Sequence, residues 1–139
     1  MKTIINTTIL LSVEIDEYTL GNKYDAITFE ISNGHAQGRK GKGKSFKSPV
    51  ERGATVTWTG KGSKGASITI REISPKDQWG NHNLLDSIDY KNNEAIGIIK
   101  DEIPEGVEEF YNITIAIKYK GHTFPDFTID PIMEIHDNG

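Results

Sequence analysis

Cysteine is absent from all 139 residues, and that single gap removes a wide range of chemistry. Disulfide staples, zinc thiolate centres, iron–sulfur clusters and thiol nucleophiles all need the missing side chain. Blue copper needs it too, because that site is built around a thiolate. Long apolar runs are missing as well: no stretch nears the roughly 18 residues of a membrane helix, so no membrane partner is expected. The opening stretch Ile4 to Val13 is interrupted by Asn6, Thr7 and Thr8, and Glu14 and Asp16 follow without a small-x-small cleavage pattern. It reads as a first strand rather than a signal peptide, which points to the cytoplasm. Helical periodicity is scarce. Only Leu84, Leu85 and Ile88, after Asn83, fall at helical spacing, predicting a helical turn near Leu84–Tyr90.

What is present in abundance is alternation of period two. Ile9, Leu11, Val13 and Ile15 alternate with more polar neighbours, as do Ile27, Phe29 and Ile31, then Val56 and Trp58, then Ile68 and Ile70. The longest case runs through Tyr111, Ile113, Ile115, Ile117 and Tyr119. Shorter runs fall at Phe46–Val50, Ala95–Ile99, Thr123–Ile129 and Ile132–His136. Such β-branched and aromatic residues on every second position suit a half-buried pleated sheet. Turn signals punctuate the runs at Gly21-Asn22, Asn33-Gly34, Gly60 to Gly65, Gly80-Asn81, Pro104-Glu105-Gly106 and Gly121. The pattern predicts one all-β domain over 1–139, an antiparallel two-sheet sandwich of about eight or nine strands. Its predicted core is Val13, Phe29, Ile31, Val56, Trp58, Ile68, Ile70, Ile113, Ile115 and Ile117.

Charge is unevenly placed. Between Ile31 and Arg71 nine Lys and Arg meet one acid, Glu51, while the remaining residues hold seven basic and nineteen acidic side chains. The densest part is Arg39, Lys40, Lys42, Lys44 and Lys47, interleaved with Gly38, Gly41 and Gly43, and the stretch Gly34–Lys44 is expected to be a mobile loop. A flexible cationic segment can track a polyanion, or pair with acidic surface on the same chain or on a second copy. It does not meet the requirements of a phosphate-binding P-loop, lacking GxxxxGK[ST] between a strand and a helix. Phe46 is the only aromatic in the run, and its strand position assigns it to the core, whereas single-strand binders present several stacking rings.

Metal and catalytic signals are thinner. Asp86 and Asp89, near Asn92, Asn93 and Glu94, offer hard oxygen ligands for calcium, but the D-x-[DN]-x-[DN]-G loop is missing. Turn-capping is the plainer use of such residues. His35, His82, His122 and His136 are scattered, with no paired ligand spacing. No G-x-S-x-G or other nucleophile signature occurs, and Glu108-Glu109 should point to opposite faces of a strand. An enzyme, for instance a hydrolase, would have to assemble its site from Asp86, Asp89, His82 and His122.

Three stretches carry a family resemblance. Val50-Glu51-Arg52-Gly53-Ala54-Thr55-Val56-Thr57-Trp58 resembles the strand entry of cupredoxin-like domains. Glu109 to Ile115, followed by Phe127-Thr128-Ile129-Asp130-Pro131-Ile132-Met133-Glu134-Ile135, resembles the last two strands of bacterial proteins of the AidA/PixA inclusion-body type. The resemblance implies a cupredoxin-like or immunoglobulin-like sandwich, bacterial and cytoplasmic, with a structural or ligand-binding role and no cofactor. The expected function is therefore a non-catalytic binding or structural module. Its basic segment would dock on the acidic surface of Asp86, Asp89, Glu94, Asp101, Glu102, Glu105, Glu108 and Glu109 in a homo-oligomer. The alternative is a protein that binds a nucleic acid or glycan polyanion.

Overall fold

The structure, a computed structural model, describes residues 4–43, 46–75 and 84–136. The first sheet is centred on β1 (Thr7–Val13), which pairs antiparallel with β2 (Ile27–Asn33) and parallel with β5 (Thr55–Gly62). A two-residue strand β3 (Lys40–Gly41) extends it beyond β2, and β8 (Glu94–Ile99) and β7 (Leu85–Lys91) extend it beyond β5. The second sheet is organised by β9 (Glu108–Tyr119), whose twelve residues are flanked on one side by β6 (Ser67–Pro75). Along its other side the chain lays β10 (His122–Thr123), β11 (Phe127–Ile129) and β12 (Ile132–Ile135) end to end. β4 (Lys47–Val50) completes this sheet by pairing parallel with β12.

Two mixed six-stranded sheets thus stack as a sandwich, and three expectations need correcting. The sheets are not purely antiparallel, because β1 runs parallel to β5 and β4 to β12. Alternation specifies which face is buried, not the direction of the neighbour. Among the described residues twelve strands replace the expected eight or nine. Part of that excess arises where the return strand along β9 is cut by Pro125 and by the Asp130-Pro131 step, since proline cannot donate to a ladder. Tyr111 N donates instead to Pro131 O at 3.2 Å, so the step is a joint in the strand rather than its end. The predicted helical turn at Leu84–Tyr90 is instead β7. Asn92 and Asn93, at φ 54° and 68°, form the two-residue turn of a β7–β8 hairpin, and pairing with β8 overrides the weak helical spacing.

Helix occurs elsewhere, in α1 (Ile15–Thr19) and α2 (Lys23–Ala26). Ile15 prolongs the alternation of β1 but begins α1, burying itself with Tyr18 one turn later. The expected loop Gly34–Lys44 is also partly ordered: Gly38 N donates to Ile31 O at 2.7 Å and Ile31 N to Arg39 O at 2.9 Å, pinning β3 beside β2.

All ten predicted core residues are buried between the sheets. Trp58 is fully enclosed, and its indole N–H donates to the Tyr111 hydroxyl at 3.0 Å across the sandwich. Gly60 is required two residues later, because a Cβ there would lie 2.5 Å from Ile68 Cγ2 on the facing strand. Truncating Trp58→Ala should cost about 3–5 kcal/mol in urea unfolding. A loss below about 0.5 kcal/mol would mean that the indole does not hold the core.

Candidate functional site

The basic segment bridges the edges of the two sheets. Its first part is β3, where Lys40 stands opposite Glu30 on β2. At Gly41 the backbone passes close to the Phe46 ring, where a Cβ would sit 3.1 Å from Cδ1 and the ring would have to give by a few tenths of an ångström. Phe46 is buried and stacks on Phe29 with centroids 5.1 Å apart, so the chain is anchored in the core before entering the second sheet as β4. The ring is therefore a core residue, as expected, and is not available for stacking on a base.

Most of the named cations already have partners within the chain. Arg39 Nη1 donates to Lys47 O at 2.9 Å, and the Lys42 ammonium donates to Asp25 O on α2. The Lys47 ammonium pairs with Glu108 and lies 3.9 Å from Glu134. The hydrogen bond to Glu108 raises the Lys47 pKa above its ordinary value. Both side chains are more than a third exposed, so the pair contributes at most about 1 kcal/mol. Lys44 lies outside the described residues. Although hydrogen-bonded within the chain, Arg39 and Lys42 stay exposed on either side of Lys40, so β3 and its flanks present a short cationic edge.

The expected acidic surface loses one member. Glu109 does point to the face opposite Glu108, but that face is the interior it shares with Tyr111 and Ile113, so it cannot contribute to an outer surface. Asp86 and Asp89 are both exposed on β7, Asp86 at an irregularity between Leu85 and Ser87. Asp86 lines a shallow depression with Lys100, Asp101 and Glu102, whereas Asp89 stands opposite Ile96, farther along the hairpin. Among the described residues no group of three or more His, Asp or Glu is placed to hold a metal ion. The hydrolase set is not assembled either. His122 sits at the opposite end of the sandwich from Asp86, edge-on to Phe124, and His82 lies outside the described residues.

Folding does create one polar cluster that spacing could not reveal. His35, Glu51 and His136 come from the β2–β3 turn, the end of β4 and the end of β12. His35 Nε2 lies 2.9 Å from Glu51 Oε2, the same oxygen accepts from Ile5 N at 3.4 Å, and the His136 ring packs 4.5 Å from that of His35. The other oxygen, Oε1, is buried without a hydrogen-bond partner. A carboxyl holding an imidazole is half of a hydrolytic relay. Here the neighbouring group is a second imidazole rather than a hydroxyl, so the described arrangement works as a clip between three chain segments.

The architecture thus defines a class, the two-sheet β-sandwich of mixed strand direction. No protein-family model matches the chain, and no curated protein matches it in sequence. In fold it is similar to the crystal structure of an inclusion body protein, PixA, from Burkholderia cenocepacia J2315. The TM-score is 0.68, with 12% identity, over 98% of this chain and 98% of that one. The resemblance read in the last strands therefore extends, as architecture, to nearly the whole chain.

The buried Glu109 gives a test of this interior. Its Oε1 accepts from Leu84 N at 3.2 Å while Oε2 has no partner. Burial pushes its pKa up from 4.5 to about 7, offset in part by the Leu84 amide and by Lys100. The folded state therefore keeps a proton that the unfolded state releases. The resulting stability is fully present below pH 4.5 and is lost as pH rises through about 7. The expected slope is on the order of 1.4 kcal/mol per pH unit, with a total of at most about 3 kcal/mol. Glu109→Gln should flatten denaturation midpoints across that window and leave the variant more stable than the parent at pH 8. An unchanged pH profile would show that Glu109 does not titrate in the folded state.

Proposed function

We propose that this protein is a non-catalytic module that works by contact and associates with further copies of itself in the cytoplasm. The observation carrying this reading is the fold shared over 98% of both chains with a protein described as an inclusion body protein. The segregation of charge along the chain supports it, since complementary fields on one molecule speed encounter and set orientation between copies. The close-packed interior supports it too, because the cross-sheet space at the centre is filled by Trp58, Tyr111 and aliphatic side chains. A second reading, a polyanion-binding protein, draws on the exposed Arg39, Lys40 and Lys42 at the β3 edge. A phosphate backbone or sulfated glycan would meet that edge through a strongly salt-dependent contact.

Light scattering across a concentration series, at low salt and near 1 M salt, tests the first reading. The mass should exceed that of the 15.5 kDa monomer at low salt. It should fall towards the monomer as the Debye length shrinks to about 3 Å. A monomer under every condition would overturn self-association. Tight, salt-sensitive binding of an oligonucleotide or heparin by that monomer would establish the second reading in its place.

A further inference from the structure

The two most exposed large apolar side chains among the described residues, Leu20 at 75% and Tyr24 at 55%, stand four residues apart on the α1–α2 connection. They belong to an aromatic platform. Tyr24 packs edge-on to Phe127 at 5.1 Å, and the buried Tyr18 packs edge-on to Phe127 at 5.9 Å and to Phe124 at 5.5 Å. Cations frame it. Lys23 Nζ lies 5.4 Å from the Tyr18 ring centre and 5.7 Å from that of Phe127, while Lys120 lies over Tyr119 at 5.3 Å. Of the nearby acids, Asp126 is paired with Arg71 at 3.3 Å and Asp16 with Lys64 at 2.5 Å. Glu17, whose Oε2 accepts from Asn22 Nδ2, and Asp25 are exposed on the same two helices, and the Lys42 ammonium, donating to Asp25 O, adds a third cation beside Lys23 and Lys120.

The opposite end of the sandwich carries the opposite charge. The connection from β8 to β9 exposes Asp101, Glu102, Pro104 and Glu105, with Asp86 and a single cation, Lys100, beside the first two. This connection leads directly into Glu108, the first residue of β9. Phe127 stands opposite Ile115 on that strand, seven residues on, and Lys120 follows its far end. At about 3.3 Å per residue, roughly 23 Å or more of rigid sheet separates the two surfaces. They cannot meet within one molecule.

We propose that the acidic connection around Asp101–Glu105 of one copy docks on the aromatic and cationic platform of the next. The inference rests on the self-association reading and specifies its surfaces. Exposed ion pairs contribute little each, so a docking surface must also desolvate apolar area. Leu20, Tyr24 and Phe127 supply that area, and the connection brings Pro104 and the half-buried Ile103 between its carboxylates. The basic segment is a poorer candidate, since Lys47 is already paired with Glu108 and Phe46 is buried. Because the two patches differ and lie at opposite ends, each added copy leaves one free patch of each kind. Such a heterologous contact builds an open chain or a ring rather than a closed two-fold dimer.

Two charge-reversed variants test this directly, Asp101→Lys/Glu102→Lys and Lys23→Glu/Lys120→Glu. In low salt the parent's mean mass should rise continuously with concentration, with no plateau at a dimer. Each variant alone should stay monomeric, since its altered side chains then face like charges across the proposed contact. An equimolar mixture should recover assembly, each variant's altered end meeting the other's. Leu20→Ser, which alters no charge, should weaken association by about tenfold, the loss expected when one buried apolar side chain leaves an interface. Far-UV spectra confirm that each variant is folded; should a charge variant unfold, the Leu20→Ser comparison decides. If the parent assembles but the folded variants assemble like it, or the mixture recovers nothing, these surfaces do not meet although self-association stands. A monomeric parent would remove the self-association reading itself.

Discussion

The contact between Trp58 and Tyr111 is the constraint on which the sandwich depends. Trp58 lies on β5, at the middle of the first sheet, and Tyr111 on β9, which organises the second. An indole enclosed between apolar faces must find an acceptor for its N–H, or lose on the order of 1–3 kcal/mol to desolvation. The phenolic oxygen meets that need at 3.0 Å, with the rings edge-on at 5.9 Å. One directional bond therefore fixes the spacing and alignment of two faces that aliphatic packing alone would position less strictly. Burial drives the Tyr111 hydroxyl far above its usual pKa, so it remains neutral and able to accept throughout the accessible pH range.

Around that centre, the edges are handled unequally. The outer edge of β6 is irregular between Ile70 and Glu72. There the β7–β8 hairpin covers it: Asn93 O accepts from Ile70 N at 2.9 Å and the Tyr90 hydroxyl from Ile73 N at 2.8 Å. Pro49 lies within β4, the outermost strand beside β12, where it removes a donor from the edge. At β3 the device is charge, with Lys40 in a strand only two residues long and Arg39 and Lys42 on either side of it. Each arrangement discourages strand-to-strand addition. Association through the ends of the sandwich is compatible with these protected edges in a way that sheet extension is not.

The buried faces were legible because alternation is a local property. Val56 and Trp58, or Ile113 to Ile117, face inward whatever strand lies next to them. Strand direction was not legible, since the parallel pairings of β1 with β5 and of β4 with β12 join residues 49 and 85 positions apart. The hairpin at Leu85–Lys91 escaped notice because Leu84, Leu85 and Ile88 imitate a helical turn, and only the left-handed Asn92-Asn93 pair settles the matter. The same limit applied to the polar groups. The cationic segment was visible in the chain, but the pairing of its Lys47 with Glu108 depends on β4 and β9 both flanking β12. The His35–Glu51–His136 cluster joins three segments with no common spacing, and the aromatic platform joins two short helices to β11.

Charge polarity and buried acid then belong to one account. An acidic chain of net charge −4 has carboxylates to place on its surface, yet two glutamates are enclosed. Burying each requires either a partner or a proton. Glu51 takes the first course, through His35 and the Ile5 amide, and so ties the chain near its start to the β2–β3 turn. Glu109 takes the second, its proton retained by desolvation to about pH 7. It lies one residue inside Glu108, at the entry to β9 from the acidic connection. The charge that reaches it is the Lys100 ammonium, which draws the pKa down rather than up. Asp101, Glu102 and Glu105 stay exposed on the connection, so desolvation at the entry to β9, and not repulsion from that surface, is what holds the Glu109 proton.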